Sequence, residues 1–257
     1  MNGSFDIPIT TMKSIEILGS KVSLIDYKTA IVTFENWIRE NSQRYVCVAN
    51  VHTVMLGTEA PAFRQITNKA DMVTPDGQPL RFVANMKGAR LKNRVYGPTL
   101  MGKTCERFQE GYSHFFYGGA LGVPEKLKDI FRARFPKINV VGAYSPPFRP
   151  LTKSENIDVI KLINRANPDF LWVGLGAPKQ EFWMYEHLGK VNARIMLGVG
   201  AAFDFNSGTV SQAPSWMQKY GLEWAYRLTQ DPKRLWYRYL YYNPLFVWKI
   251  LKEVRGL

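Results

Sequence analysis

Between His114 and Pro136 the chain reads HFFYGGALGVPEKLKDIFRARFP, and this stretch constrains the fold more than any other. It opens as an unbroken apolar strand, which is what a strand covered on both faces requires. Gly118, Gly119 and Gly122 then turn the chain into a helix. Pro124 sits in the first helical turn, where its missing N–H would have no partner in any case. A second apolar run, Ile138 to Val141, completes a strand-helix-strand unit of the kind that builds a parallel sheet. Backbone amides at such a helix start can receive phosphate, so Gly118, Gly119 and Gly122 are candidate nucleotide contacts. A dinucleotide fold would show GxGxxG and an acid near the end of the second strand. Here the glycines read GGxxG and Val141-Gly142-Ala143-Tyr144 offers no carboxylate, so redox dinucleotide chemistry falls away and a phosphate cradle remains.

The same alternation runs through most of the chain. Ile15 to Leu24 reads as a strand, Tyr27 to Arg39 as an amphipathic helix, and Arg44 to Asn50 as a strand ending on a polar residue. Asn50 at that end either holds a substrate hydroxyl or caps the next helix. Val54 to Lys69 reads as one amphipathic helix. In VTPDGQPL, Val73 to Leu80, Asp76 ends an apolar run, and Pro75 and Gly77 force a turn before a further helix. Strand carboxyl ends face the ligand crevice of an open α/β sheet, which makes Asp76 a candidate general base or ligand anchor. An Asp before Gly also makes turns by bonding its own backbone. Lys87, Arg90, Lys92 and Arg94 form a basic cluster; such clusters are usually solvated, but beside a crevice an arginine fork suits a diphosphate. Further on, Pro168 to Gly174 and Arg194 to Gly198 read as strands. The first leads through Leu175-Gly176-Ala177-Pro178 to a helix opened by Lys179, Gln180 and Glu181, with Gln180 placed for a ligand and Glu181 adequately explained by helix solubility. The second delivers Asp204 just past a glycine-rich end, where it contacts substrate or caps the turn.

With 257 residues and 46% hydrophobic content, the chain can bury a full core. Its formal charge of +13 calls for an anionic partner: nucleic acid, an acidic membrane surface or a phosphorylated substrate. Cys47 and Cys105 have no metal-binding spacing and read as reduced, structural thiols. His52 lacks a local acidic partner and, like His114 and His187, reads as a loop or cap residue. MNGSFDIPITTMKS has no basic-then-apolar pattern of a signal peptide, and no apolar run reaches the roughly 18 residues of a spanning helix.

From about Pro214 the character changes. Aromatic residues such as Trp216, Trp224, Trp236 and Trp248 interleave with Arg227, Arg234, Arg238 and several lysines. That mixture suits an interface with anionic headgroups; it also suits a helical hairpin packed on the core, or a subunit interface in a homo-oligomer. Pro232 should start a second helix in which Arg234 and Arg238 share one face at i, i+4. The expected architecture is α/β, with Rossmann-like layers, a mainly parallel sheet flanked by helices, and a helical C-terminal appendage. Residues 1–210 are the expected catalytic core and 211–257 the membrane-associating appendage.

TPDG, RVYGPTLM, GLGAPKQEFW, GVGAAFDFNSG and GLEWAYRLTQDPKRLWYRYL, in this order, resemble the WecG/TagA/CpsF glycosyltransferases over about Ile15 to Leu240. The resemblance implies a bacterial enzyme peripheral to the cytoplasmic face of the inner membrane. It would carry a hexose (glucose, N-acetylmannosamine or its uronic acid) from a UDP-sugar donor to a polyprenyl-diphosphate-linked sugar acceptor in surface polysaccharide synthesis. It further implies Asp76 as base, Asn50, Arg94 and Gln180 as substrate contacts, and no metal or other cofactor. Where the family often has threonine two residues before the asparagine, this chain has Val48.

The chemistry agrees with the residues. Inverting transfer needs a base for the acceptor hydroxyl and a group to stabilise the departing diphosphate. No Asp-x-Asp triplet is present to hold a metal, which leaves the second task to Arg94, Arg227, Arg234 and Arg238. The rival readings are a non-catalytic nucleotide-sugar binder and a single-stranded nucleic-acid binder. No recognised nucleic-acid motif supports the latter, so nucleic acid is not expected among the partners.

Overall fold

Short apolar runs that alternate with amphipathic ones become strands and covering helices, and their order fixes where the loops gather. A computed structural model describes residues 12–256; the first eleven residues, part of the stretch read for a targeting signal, lie outside it. Strands β1 (Ser14–Ile17) and β2 (Ser20–Ser23) form an antiparallel hairpin, and helix α1 (Tyr27–Arg39) leads to β3 (Arg44–Ala49). Helices α2 (Val51–Glu59) and α3 (Pro61–Asn68) precede β4 (Met72–Pro75). Then come α4 (Gln78–Met86), α5 (Gly97–Arg107), β5 (Ser113–Gly118), α6 (Val123–Arg134) and β6 (Asn139–Tyr144). Helix α7 (Lys153–Ala166), β7 (Phe170–Gly174), α8 (Lys179–His187), β8 (Ile195–Gly198) and the short α9 (Ala202–Asn206) complete the layers. The tail holds α10 (Ser215–Lys219), α11 (Glu223–Gln230), α12 (Pro232–Trp236), a π-helical turn (Tyr237–Tyr241) and α13 (Tyr242–Arg255).

The main sheet runs β4-β3-β8-β7-β5-β6 with every neighbouring pair parallel, the α/β Rossmann-like arrangement expected from the alternation. Successive residues point to opposite faces of a strand. On β7, Leu171 and Val173 enter one core layer while Phe170 and Trp172 enter the other; on β3, Tyr45 and Cys47 oppose Val46 and Val48. Both faces are dry, which is why these strands read as continuous apolar runs. Trp172 is fully buried, and truncating such a side chain to alanine costs about 3–5 kcal/mol. Because all six strands run the same way, the loops that follow them share one edge, and the ligand crevice belongs there.

Three local readings change. Ile15 to Leu24 is a hairpin, with Leu18 and Gly19 in the left-handed region at φ 49° and 80°. The single helix expected over Val54 to Lys69 is two, because Pro61 cannot donate to the preceding turn and starts α3 instead. Helix α2 begins at Val51, so His52 lies in its first turn. Pro232 does open α12, but the π-helical turn after it adds a residue to the helical repeat. Arg234 and Arg238, four residues apart, end on different partners: Arg234 pairs with Asp231, while Arg238 reaches toward Asn50.

The tail is bolted to the α/β layers. Tyr242 donates its hydroxyl to Glu59 at 2.6 Å, Lys87 pairs with Glu253 at 2.9 Å, and Glu253 also accepts the Leu18 amide. Among the described residues no helix is long and apolar enough to cross a membrane.

Candidate active site

Asp76 follows β4 directly, and its backbone is pinned: its N–H donates to Ala49 O at 2.8 Å, and Pro75 O accepts from Val95. The side chain does not serve its own turn. Its Oδ1 accepts the amide of Gly97, at the start of α5, at 2.8 Å, which leaves Oδ2 to the cavity that Asp76 lines. Burial pushes its pKa up to about 6; Arg94 and the Gly97 amide pull the other way, and Glu223 adds to the rise.

Asn50 caps the next helix and also borders the cavity. Its Oδ1 accepts the Thr53 amide at 3.3 Å and Thr53 Oγ1 accepts the Asn50 amide at 2.8 Å, a reciprocal cap on α2. It also lines the cavity, with Arg238 Nη2 at 3.5 Å from the same Oδ1. Val48, two residues earlier, points into the core.

The tail supplies the roof. Arg94 lies over the Tyr96 ring at 4.2 Å and donates to Glu223 Oε2 at 2.7 Å, while Tyr96 donates its hydroxyl to Glu223 Oε1 at 2.7 Å. Arg94 is thus charge-paired at the cavity wall. Arg238 differs: its Nε is buried without a partner among the described residues, and burial lowers its pKa from the usual arginine value. Beside it, His52 packs against Tyr242 with ring centroids 5.6 Å apart and a buried, unpartnered Nδ1. Burial, with Arg238 nearby, pushes His52 down to about 3, so the imidazole is neutral. Asn50, Asp76, Arg94, Arg227, Arg238 and His52 all border one cavity of about 690 Å³.

Other candidates lie elsewhere. Asp204, Arg227 and Arg234 border a second cavity of about 360 Å³, so Arg227 is the wall shared by both. Burial raises the Asp204 pKa, against the pull of Arg234 and Arg227. Gln180 is turned inward: its Oε1 accepts the Gly176 amide at 3.1 Å and its Nε2 donates to Glu181 at 2.9 Å. Glu181 is no solubility residue. It is 1% exposed, and burial pushes its pKa up to about 7. Gly118 and Gly119 stand at the end of β5, far along the sheet from β4. A Cβ on Gly118 would lie 2.6 Å from the Gly174 carbonyl carbon, so close packing demands glycine there. Gly122 caps α6 at φ 82° with open space around it. Cys47 and Cys105 are buried free thiols, pushed up by burial.

Sequence reasoning missed Glu223 and His52. Glu223 carried one signal, as the only acid between Val210 and Gln230 in a basic, aromatic segment. His52 had only its place two residues after Asn50. Among the described residues no three or more of His, Cys, Asp and Glu come together as a metal site.

A parallel α/β sheet with an acid at one strand's carboxyl end, under arginines from a separate helical segment, forms a charged cleft at the edge where α/β folds place their ligands. The chain belongs to the glycosyl transferase WecG/TagA/CpsF family, whose sequence model matches residues 15–257. It is similar to a Bacillus spizizenii (strain W23) protein named N-acetylglucosaminyldiphosphoundecaprenol N-acetyl-beta-D-mannosaminyltransferase, 29% identical over 221 residues, covering 86% of this chain and 83% of that one. A Staphylococcus aureus (strain MRSA252) protein of the same name is 29% identical over 214 residues, covering 83% of this chain and 82% of its own length.

Proposed function

We propose that this protein is an inverting glycosyltransferase that moves a hexose from a UDP-sugar to a polyprenyl-diphosphate-linked sugar, without a metal, in surface polysaccharide synthesis. One observation carries the reading: Arg238, a guanidinium with a buried, partnerless Nε, borders the same cavity as a carboxylate whose pKa is raised to about 6. A buried cation that feels Asp76 but forms no ion pair among the described residues calls for an anionic ligand, and a carboxylate near that pKa is a competent base at neutral pH.

Asp76 takes the proton of the acceptor hydroxyl as its oxygen bonds to the anomeric carbon. On the opposite face the bond from that carbon to the donor diphosphate breaks, and the electron pair leaves with the diphosphate. Arg227, the wall shared by both cavities, and Arg238 stabilise the charge that develops there, and Arg238 also faces the acceptor's diphosphate. Asn50 orients the reacting sugars. The donor nucleotide extends along the carboxyl edge past Asp204 and Gln180 toward Gly118, Gly119 and Gly122, and Arg234 steers it from the second cavity. Residues 1–210 act as the catalytic core, and 211–257 act as the roof and as the face that meets an anionic membrane surface. The relatives' names favour N-acetylmannosamine as the sugar moved and a lipid-diphosphate-linked N-acetylglucosamine as its acceptor.

The test is a screen of UDP-sugars against polyprenyl-diphosphate-linked N-acetylglucosamine and glucose, with and without chelator. Transfer that survives chelator and inverts the anomeric centre is expected. Activity that disappears with chelator overturns the metal-free reading, and no transfer from any donor leaves a nucleotide-sugar binder.

A further inference from the structure

The cavity over Asp76 continues well past the reacting groups. Helices α4 and α13 both start at its polar end, at Gln78 and Asn243, and proceed away from it together. At their far ends the Lys87–Glu253 ion pair ties them to each other at 2.9 Å. Between these two points the cavity wall is apolar: Phe82, Val83 and Met86 from α4, and Val247, Ile250 and Leu251 from α13. Phe82 and Met86 are 50% and 64% exposed, Val247 and Leu251 56% and 47%, so the channel is open along one side. Nine residues of α4 at 1.5 Å each make it about 13 Å long.

We infer that this groove between α4 and α13 binds the first isoprene units of the acceptor's polyprenyl chain. The inference rests on the proposed lipid-diphosphate acceptor and adds the site for its hydrocarbon. Its polarity argues for this occupant. Arg238 stands at one end, where a diphosphate would sit, and the walls beyond it present no charge until the Lys87–Glu253 pair closes the far end. An amphiphile with an anionic head and a branched apolar tail matches that sequence of surfaces, whereas a peptide helix or a second sugar would leave the guanidinium or the apolar walls unmatched. The open side lets a chain enter laterally from a bilayer, which a closed tunnel would not. Neither wall residue at positions 86 and 251 touches the reacting groups, so head and tail recognition can be separated.

The experiment is titration calorimetry of the full chain, without membranes, using inorganic diphosphate and farnesyl diphosphate below its aggregation threshold. Farnesyl diphosphate should bind at least about tenfold more tightly, the difference being apolar burial. Met86→Asp and Leu251→Asp, on opposite walls at half-exposed positions, should each erase most of that advantage. Arg238→Ala should weaken both ligands alike. Equal affinity of the two ligands for the wild-type chain overturns the groove. So does retention of the tail advantage in both Asp variants, including the case in which those variants lose only binding to anionic vesicles, which would make the face a membrane-resting surface. If Arg238→Ala changes nothing, the diphosphate reading fails while the contrast between the two ligands still reports on the groove.

Discussion

The carboxyl edge of the sheet has two ends built by one recipe, a buried strand, a turn containing glycine, then a helix, and only one end is armed. At the β4–β3 end, Asp76 and Asn50 lie under Arg94, Arg227, Arg238 and Glu223, all bordering a cavity of about 690 Å³. At the β5–β6 end the turn of Gly118, Gly119 and Gly122 carries no ionisable side chain, and its helix start is open. The strands supply position at both ends, and what separates them is the C-terminal segment, whose helices cross back over the first half of the chain. Roofing removes water, and with less water a carboxylate and a guanidinium act on each other and on a ligand far more strongly.

The strongest way to break this contrast is Asp76→Asn. Loss of transfer by about 10²–10⁴-fold in kcat is expected, and the wild-type rate should fall as pH drops through about 6, where Asp76 takes up its proton. Stability should move the opposite way. The folded state holds that proton more tightly than the unfolded chain, so stability declines as pH climbs from the ordinary carboxylate range to about 6. Removing the charge should therefore stabilise the variant at pH 7 by about 1–3 kcal/mol, seen in denaturant titrations, with the gain vanishing near pH 3. A variant with normal kcat would end the role of Asp76 as base.

Next in size, Arg238→Ala should lower kcat by about 10²–10³-fold, and Arg234→Ala, whose partner is the exposed Asp231, by much less. Equal losses would move the chemistry toward the smaller cavity. Glu223→Gln sharpens the electrostatics: Glu223 holds the Asp76 pKa up, so the acid limb of the rate profile should shift to lower pH, with roughly tenfold or smaller loss in kcat as Arg94 and Tyr96 lose their anchor. The smallest effect belongs to the open end. Gly122→Ala places a Cβ at φ 82° and should cost about 1 kcal/mol of stability, with a few-fold rise in donor KM and unchanged kcat; a constant KM would remove the nucleotide from that end.

The inner strands were legible because burial on both faces leaves an unbroken apolar signature, whereas β6, at the half-exposed edge, showed only its run up to Val141; Pro124 and Pro232 marked helix starts by a rule that depends on one residue. Asp76 and Asn50 were legible for the same reason: both end strands. The roof was not. Glu223 meets Arg94 across 129 positions, and no local pattern encodes that pairing. Gln180 had the right address but the wrong direction, since the choice between facing the crevice and bridging Gly176 to Glu181 is made by packing. Glu181 looked like any solvated helix residue because helix periodicity cannot tell which face a short helix buries when its apolar residues surround it.

The π-helical turn between Tyr237 and Tyr241 lets the tail absorb a length change of a single residue. Its wider turn takes one more residue to cover the rotation of an ordinary helical turn, so one residue removed there would restore the ordinary repeat and leave the apolar stripe of α13 facing α4. One residue removed at the start of α13 has no such slack and would swing that stripe by about 100°, the angle of one residue in a 3.6-residue turn. A relative one residue shorter in the π turn would then keep the same roof, so alignments of this segment should place a gap there rather than inside α13.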